Sequence, residues 1–366
     1  MYIHEVADWP HFVWQDDKLS ELLASVRHKQ GRLIGRMEAL GFDLRRQAVL
    51  KVLTQEVVKS NEIEGEILDA DLVRSSLARK MGIKIAGLKP ADRNVEGVVE
   101  MMLDATEHFQ EPLTEKRLFH WHSLLFPAGQ SGWSKINVGN WRDDKSGPMQ
   151  VVSGAIGREK IHYQAPDAKR LKKEMTNFLK WFETEPGIDL VLKAGIAHLW
   201  FVTIHPLDDG NGRIARAIAD MMLARSENIA DRFYSMSAQI RLERNTYYDL
   251  LEKTQKGKME ITPWLEWFLA CLNRAIDGAH ATLGTVLNKA KFFDLAQGLT
   301  LNDRQKLVIN KLLDGFEGKL TSSKWAKLAK CSQDTANRDI NDLVKQGILV
   351  KDAAGGRSTS YSLVEQ

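Results

Sequence analysis

Residues 205–216 hold most of the side chains in this sequence that could do chemistry. They read His-Pro-Leu-Asp-Asp-Gly-Asn-Gly-Arg-Ile-Ala-Arg and lead into a predicted helix. Backbone N–H groups at the start of a helix are unpaired and lie at its positive dipole end, so the turn at 210–212 can hold phosphate oxygens. Arg213 and Arg216, three residues apart, project from one face of that helix.

An acid and a base complete this segment. Asp209 offers a hard oxygen ligand suited to Mg²⁺, which binds through one or two carboxylates together with the phosphates of a substrate. His205 is left as the proton acceptor. The set favours a phosphate-transfer site. The alternative is an ordinary helical corner, in which the glycines permit a tight turn and the charges face solvent.

The same segment resembles, position by position, the signature of Fic-domain proteins, His-x-Phe-x-(Asp/Glu)-Gly-Asn-Gly-Arg-x-x-Arg. One position departs from it, because Leu207 replaces the phenylalanine. In that family the aromatic side chain is a buried anchor for the loop. Leucine keeps the apolar role with less volume, so we expect a repacked but working loop.

Upstream, residues 60–65 read Ser-Asn-Glu-Ile-Glu-Gly and end a predicted helix, with Gly65 as its stop. Taken alone, this is an acidic and solvated helix end. It also resembles the inhibitory motif (Ser/Thr)-x-x-x-Glu-(Gly/Asn) that many Fic proteins carry beside the nucleotide site. The resemblance implies that Glu64 pairs with Arg216 and competes with the γ-phosphate, while Ser60 holds the inhibitory helix in place.

Residues 150–154 and 161–163 look like two short strands around a glycine-containing turn. The alternative is a surface hairpin that has no functional role. In Fic proteins a hairpin here, after a Gly-x-(aromatic)-Arg element that residues 139–142 resemble, forms a flap over the active site. The open edge of such a flap can pair with an extended target segment.

Two further residues enter through the resemblance, which covers roughly residues 60–270. Family members carry a Tyr-Tyr pair followed, eight residues after its first tyrosine, by an asparagine near the nucleotide. Here Tyr247 begins the pair and Gln255 holds the place of the asparagine. The resemblance therefore implies that both line the adenosine pocket, although a tyrosine pair on a helix is more often part of a core.

The implied reaction is AMPylation, in which a Ser, Thr or Tyr hydroxyl of a protein target, or of the chain itself, attacks the α-phosphorus of ATP. His205 takes the proton, and pyrophosphate leaves on Mg²⁺ held by Asp209. The nucleotide-binding residues implied are Asp209, Gly210, Asn211, Gly212, Arg213, Arg216, Val151, Val152, Ser153, Gly154, Tyr247 and Gln255.

Three rival functions stay open. In the reverse enzyme, Glu64 would position a water that removes AMP. In a DNA-binding regulator, the Fic fold would sense nucleotide. A structural relic is disfavoured, because the base, the acid and both arginines of residues 205–216 are present. Other nucleotide donors, such as a choline-bearing one, are also left open.

Helical periodicity dominates the chain, so the predicted fold class is all-α, with a Fic helical core and a small β-hairpin flap. Apolar residues recur at three- and four-residue intervals over residues 19–37, and similar patterns lie at about 44–63, 92–109, 114–125, 167–184, 188–203, 212–225, 239–256 and 263–296. The predicted domains are an N-terminal helical region with the inhibitory helix (1–90), the Fic domain (91–297) and a C-terminal module (298–366).

The C-terminal module resembles a winged helix–turn–helix. Helices are predicted at 301–313, 322–329 and 332–346, and strands at 348–351 and 358–364. Eleven Lys or Arg against eight Asp or Glu from residue 301 onward give a net charge of +3, so any grip on DNA is weak and salt-sensitive. The predicted phosphate contacts are Lys330, Arg338, Lys345 and Arg357. A protein-binding or dimerising role is equally open.

Bulk properties exclude little else. The formal net charge of the 366 residues is only +3, which gives no global basic field. Cys271 and Cys331 form no metal or redox spacing. The first residues show no leader pattern and no segment is long enough to span a bilayer. We therefore expect a cytoplasmic protein without membrane contact, and a homodimer is left open.

Overall fold

The chain forms two compact units. A computed structural model describes residues 1–85, 87–132, 134–145, 147–154, 158, 160–184, 187–295, 301–313, 316, 318–352 and 359–364. The larger unit comprises Met1–Gly82 and Lys89–His280, and the smaller comprises Ile83–Leu88 and Ala281–Gln366. The division into three domains stays a prediction.

Helices build the larger unit, which confirms the all-α prediction. They are α1 (Asp16–Glu38), α2 (Phe42–Ile63), α3 (Ala70–Lys80), α4 (Arg93–Glu107), α5 (Glu115–Leu125), α6 (Leu171–Thr184), α7 (Leu190–Ile204), α8 (Asn211–Glu227), α9 (Met236–Leu242) and α10 (Arg244–Gln255). Helix α11 (Thr262–Leu295) follows, and short 3-10 helices lie at Ile3–Glu5 and Ala168–Arg170. No helix in the described ranges combines the length and apolarity that a membrane crossing requires.

Helix α7 is the core of the larger unit. It is apolar on all sides, and every residue from Val191 to Ile204 is buried. Asp189 caps its first turn by accepting a hydrogen bond of 2.8 Å from the Val191 backbone N–H. Its main partner is α8, whose Ile218 and Met221 are fully buried. Residues 205–216 begin where α7 ends, so they follow directly on this buried helix.

Two small antiparallel hairpins accompany these helices. Strands β1 (Gln130–Ser131) and β2 (Ser134–Lys135) form one, which was not predicted. Strands β3 (Gln150–Ser153) and β4 (Lys160–Gln164) form the other, which confirms the predicted hairpin, while its role as a flap stays a prediction. Its register shifts between Val151 and Val152, a bulge that bends the strand. Among the described residues no third strand joins this hairpin, so each strand keeps one edge without a strand partner.

The helix predictions were wrong at two places. Helix α3 was not predicted, although Asp69 caps it by accepting a hydrogen bond of 2.7 Å from the Asp71 N–H. The region 239–256, predicted as one helix, is two helices because Glu243 leaves helical geometry (φ −107°, ψ 23°). The prediction that Gly65 stops α2 is confirmed, since α2 ends at Ile63 and Gly65 has φ +88°.

As far as it is described, the smaller unit contains the end of α11 from Ala281, three further helices and a three-stranded sheet. These are α12 (Asp303–Leu313), α13 (Ser322–Ala329) and α14 (Gln333–Lys345), with strands β5 (Leu320–Thr321), β6 (Leu349–Lys351) and β7 (Ser360–Leu363) in the order β5-β7-β6. Trp325, Ile340 and Leu343 are at most 1% exposed and form the centre of its core. Strand β5 was not predicted. The predicted wing tip, including Arg357, lies outside the described residues.

Candidate active site

His205 directly follows α7 in a left-handed backbone conformation, with φ 49° and ψ 57°. A residue other than glycine adopts this conformation only when its surroundings hold it there. The surroundings include Arg142, whose Nε donates a hydrogen bond of 2.7 Å to the His205 carbonyl. The Arg142 backbone N–H donates one of 2.9 Å to the carbonyl of Pro206. The loop is therefore fastened at two consecutive carbonyls.

Arg142 is itself held on all sides. It is 2% exposed, and its Nη1 lies 2.8 Å from Asp144 Oδ1 while its Nη2 donates to the Pro166 carbonyl. Burial lowers the pKa of Arg142, and Asp144 opposes that shift. Sequence reasoning placed Arg142 only in the element before the flap and missed this role. A single arginine that becomes buried in the fold adds nothing to the periodic pattern of apolar residues, so that pattern could not identify it.

The His205 imidazole is set up to accept a proton. Its Nδ1 lies 3.2 Å from the carbonyl oxygen of Val202. A carbonyl can only accept, so Nδ1 carries the hydrogen and Nε2 keeps a free lone pair. Burial lowers the pKa of His205 to about 4, against the raising effect of the Val202 hydrogen bond. The ring is therefore neutral at pH 7.

Leu207 and Asn211 close the turn that follows. The Asn211 side chain accepts a hydrogen bond of 3.0 Å from the Leu207 N–H and donates one of 2.8 Å to the Leu207 carbonyl. Leu207 is fully buried, which confirms the expected apolar anchor. The amide of Asn211 is thus used within the loop, so any contact of this residue with phosphate falls to its backbone N–H.

Gly210 gives the turn its shape. It has φ +81° and precedes α8. A Cβ at this position would also lie 3.0 Å from the ring of Phe126 and 3.1 Å from Leu125 Cδ1. Both the backbone conformation and the available space therefore call for glycine.

Asp209 lies at the edge of the turn, with 42% of its side chain exposed. Its Oδ1 accepts a hydrogen bond of 2.5 Å from the Gly210 N–H, and Ser131 Oγ donates to its Oδ2. The described residues contain no group of three or more His, Cys, Asp or Glu side chains placed as metal ligands. A Mg²⁺ at Asp209 fits only if phosphate and water oxygens supply its other ligands, which is how this ion usually binds.

The structure brings Glu64 and Ser60 onto Arg216. Nη2 of Arg216 lies 2.8 Å from Glu64 Oε1 and donates a hydrogen bond of 2.8 Å to the Ser60 carbonyl. Its Nε donates a hydrogen bond of 2.9 Å to Ser60 Oγ. Burial would lower the pKa of Arg216, but the Glu64 carboxylate raises it, so the guanidinium stays charged.

Gly212 explains how Glu64 comes so close to the turn. A Cβ on Gly212 would lie only 2.2 Å from Glu64 Oε1 and 3.2 Å from Arg216 Nη1. The carboxylate therefore rests on the surface that the missing side chain leaves open. Nη1 of Arg216 is buried and has no hydrogen-bond partner among the described residues. One donor of this arginine is thus ready for a further acceptor.

Arg213 is paired with a residue that was not predicted. Its Nη1 lies 2.6 Å from Glu66 Oε2 and 3.4 Å from Asn61 Oδ1. Its Nη2 is 3.8 Å from Asp209 Oδ1, and its guanidinium lies over the ring of Phe126, 5.0 Å from the centroid. Both arginines of residues 205–216 are therefore in contact with carboxylates from the segment that follows α2.

The four predicted flap residues lie on β3 and just after it. Val151 is partly buried, whereas Val152 is 49% exposed and Ser153 and Gly154 are exposed. A chain of hydrogen bonds ties the hairpin to α10: Ser153 Oγ is 2.6 Å from His162 Nε2, and His162 Nδ1 is 2.5 Å from Glu252 Oε2. The nucleotide contact of these flap residues stays a prediction.

Tyr247 and Gln255 lie on α10 and face α7 rather than solvent. The Tyr247 hydroxyl is 2.8 Å from His198 Nε2, and the side chain is 2% exposed. Nε2 of Gln255 lies 3.4 Å from the Val202 carbonyl and from Thr203 Oγ1. Both residues support the helix that carries His205, and their place in an adenosine pocket stays a prediction.

Comparison with known proteins adds the family. Residues 112–223 match the model of the Fic/DOC family. The chain contains a Fic domain. Residues 2–83 match a second model, a domain of unknown function (DUF4172). The Fic domain thus supplies His205 and both arginines, while Ser60, Glu64 and Glu66 come from the other matched stretch.

The relatives carry a functional name. "Protein adenylyltransferase Fic" of Nematostella vectensis is 24% identical over 275 residues, which are 72% of this chain and 56% of that protein. Its namesake in Drosophila yakuba is 30% identical over 243 residues, 63% of this chain and 43% of that protein. The chain therefore spans about half the length of the curated relatives it matches.

A solved structure shares the fold. The crystal structure of a Fic family protein from Desulfovibrio desulfuricans G20 aligns with a TM-score of 0.52 at 22% identity, over 94% of this chain and 96% of that one. Residues 205–216, which resemble the Fic signature, lie within the stretch that matches the Fic/DOC model. The inhibitory role of Glu64 and the winged-helix assignment stay predictions.

Proposed function

We propose that this protein is an adenylyltransferase that moves AMP from ATP onto a Ser, Thr or Tyr hydroxyl of a protein target or of itself, and that Glu64 holds it inactive. One observation carries this proposal: the Glu64 carboxylate lies 2.8 Å from Arg216 and rests on Gly212, at the start of the helix that would receive phosphate. The names of the relatives support the type of reaction. The target protein and self-modification belong to the same proposal.

His205 acts on the incoming hydroxyl. Its unprotonated Nε2 accepts the hydroxyl proton as a new O–P bond forms at the α-phosphorus and the bond to pyrophosphate breaks. Arg142 contributes by fixing the backbone of His205, and it touches no reacting atom. General-base catalysis of this kind accounts for about a hundredfold or more in rate.

The phosphates bind at the start of α8. Backbone N–H groups of residues 210–212 and the guanidinium groups of Arg213 and Arg216 supply donors and positive charge there. Mg²⁺ bound with the phosphates at Asp209 would neutralise charge on the leaving pyrophosphate. Electrostatic stabilisation of this kind is the largest contribution to most phosphoryl-transfer catalysis.

Glu64 restrains the reaction by competing with phosphate. Glu64 occupies Nη2 of Arg216, so a phosphate oxygen that is to take this donor must displace the carboxylate. While Glu64 is in place, ATP can bind, but its phosphates cannot take the position needed for in-line attack.

Intact-mass spectrometry after incubation with ATP and Mg²⁺ tests the proposal. We expect the Glu64→Gly variant to gain the mass of AMP faster than wild type, and the matched Glu64→Gly/His205→Ala variant to gain none. A gain of some other nucleotide fragment from a different donor would replace ATP in the proposal. If Glu64→Gly gains no mass with any nucleoside triphosphate, transfer to the protein itself is refuted. Transfer to a target is then tested by incubating the variant with a protein extract and labelled ATP.

Removal of AMP is the second candidate, because a carboxylate on the phosphate-binding turn could also hold an attacking water. AMP-bearing Glu64→Gly protein offers a substrate for wild type. Loss of the label on adding wild type, but not on adding more Glu64→Gly, would favour this reverse reaction.

A further inference from the structure

We propose that Glu66 is a second residue of the phosphate site, which lowers the affinity for nucleotide by holding Arg213. This inference rests on the proposed function only for the location of the phosphates. It assigns Glu66 a role separate from that of Glu64: Glu64 controls how the phosphates lie, and Glu66 controls how tightly they bind.

Three carboxylates alternate along the segment at the end of α2, and each has a different partner. Glu62 pairs with Lys59 Nζ at 2.5 Å and with Arg241 Nε at 2.9 Å, away from the site. Glu64 takes Arg216, and Glu66 takes Arg213 at 2.6 Å. The segment thus covers both arginines of the Fic motif.

Local geometry holds Glu66 in this place. The left-handed conformation of Gly65 turns the chain back over the end of α2. The Glu66 backbone N–H then donates a hydrogen bond of 3.0 Å to the Asn61 carbonyl. Asn61 is itself fastened, because its Nδ2 donates a hydrogen bond of 2.9 Å to the Val57 carbonyl. The carboxylate of Glu66 therefore reaches Arg213 from a fixed turn.

The contact between Glu66 and Arg213 is a pair of opposite charges with unequal exposure. The Arg213 side chain is 3% exposed, whereas that of Glu66 is 47% exposed. A buried cation is costly without a counter-charge, and Glu66 supplies the closest one, since Asp209 is 3.8 Å away. A phosphate can also supply the negative charge next to Arg213, so phosphate and Glu66 compete for the same guanidinium.

The two carboxylates differ in what they obstruct. Glu64 lies against Gly212, where its Oε1 would be 2.2 Å from a Cβ, but Glu66 is not among the atoms nearest to that position. The contact of Glu66 is with the Arg213 guanidinium, so we infer that it acts through charge. Its removal should change nucleotide affinity and KM, while removal of Glu64 should change kcat.

Isothermal titration with Mg²⁺ and an ATP analogue that has a methylene bridge between its α- and β-phosphates tests the inference. We expect Glu66→Gln to bind this analogue about tenfold more tightly than wild type. The matched control Glu62→Gln removes the same charge from a carboxylate that contacts Lys59 and Arg241 instead of the motif arginines, so it should bind the analogue like wild type. Adenosine, which has no phosphate, should bind both variants equally.

Transfer kinetics then separate this inference from the proposed function. We expect Glu64→Gly/Glu66→Gln to show a lower KM for ATP than Glu64→Gly at a similar kcat. If Glu64→Gly transfers AMP but Glu66→Gln binds the analogue no better than Glu62→Gln, the role of Glu66 is wrong and the function stands. If Glu66→Gln binds more tightly while no variant transfers AMP, the function is wrong and the role of Glu66 stands.

Weaker binding by Glu66→Gln would also overturn the inference, because it would mean that Glu66 supports Arg213. Thermal melting of each variant without nucleotide guards against a folding defect. Should Glu66→Gln melt well below wild type, Glu66→Asp provides the second test. Its shorter side chain keeps the charge but holds it farther from Arg213, so it should bind the analogue more tightly than wild type and less tightly than Glu66→Gln.

Discussion

Breaking the Glu64–Arg216 pair should make the enzyme faster and its fold less stable at the same time. The Glu64→Gly variant loses a contact of 2.8 Å to a guanidinium that is 2% exposed, with 29% of the Glu64 side chain exposed. A hydrogen bond to a charged group contributes about 1.5–3 kcal/mol. At about 1.4 kcal/mol per factor of ten, this corresponds to a rise of roughly ten- to a hundredfold in the share of molecules with Arg216 free.

The same loss leaves the buried cation with the hydrogen bonds that it donates to Ser60. We therefore expect the melting temperature of Glu64→Gly to fall by several degrees, which is what a penalty of about 1.5–3 kcal/mol gives in a unit of this size. ATP with Mg²⁺ should restore most of the difference, because its phosphates replace the missing carboxylate and bind the folded state alone.

A double-mutant cycle identifies the pair as the cause. Adding Arg216→Ala to Glu64→Gly should erase most of the gain in AMP transfer, and Glu62→Gly controls for the added backbone freedom. Transfer rates and melting curves are measured on wild type, Glu64→Gly, Arg216→Ala, the double variant and the Glu62→Gly control. Equal transfer by wild type and Glu64→Gly would refute the inhibitory role, and loss of activity in Glu64→Gly would favour AMP removal by Glu64.

Three further predictions concern the base, its protonation and the smaller unit. His205→Ala in the Glu64→Gly background should lower transfer about a hundredfold or more with nucleotide binding unchanged by titration, whereas transfer at the rate of Glu64→Gly would contradict the role of the imidazole. The pKa of His205 is lowered to about 4, and Glu64 acts to raise it, so its removal does not bring this pKa back toward 6.5. We therefore expect kcat/KM of Glu64→Gly to be level above about pH 6 and to fall only as the pH drops toward 4. A fall in kcat/KM centred near pH 6.5 would mean that the imidazole is exposed. We expect duplex DNA to bind weakly at low salt, as measured by fluorescence anisotropy, and the affinity to fall steeply as the salt concentration rises. Replacing Arg338 and Arg357 together should weaken this binding. Binding that the double substitution leaves unchanged would indicate a protein partner instead.

The sequence predicted the features that depend on residues close together in the chain. Residues 205–216 form the turn and helix start that their spacing indicates, and Gly65 ends α2 as its type suggests. Most helices of the larger unit follow from apolar periodicity, because a helix packed along one stripe needs that pattern. Helix α3 carries a cap at Asp69 and buried apolar residues as well, so its absence from the prediction was an oversight and not a lack of signal.

Contacts between distant residues were beyond such reasoning. Arg142 binds the His205 carbonyl across 63 positions, and Ser131 reaches Asp209 across 78. Glu66 meets Arg213 across 147 positions. The equally distant approach of Glu64 to Arg216 was expected only through the Fic resemblance, since no local spacing encodes it. Tertiary packing alone decides which of the three alternating acids meets which cation.

The Glu64–Arg216 contact joins two stretches of one chain that match different family models, residues 2–83 and 112–223. A competitor built into the same molecule has an effective concentration set by the fold, and dilution does not change it. Nucleotide, by contrast, occupies the arginine in proportion to its own concentration. In the proposed function, the hold of Glu64 on Arg216 is therefore the same at any protein concentration.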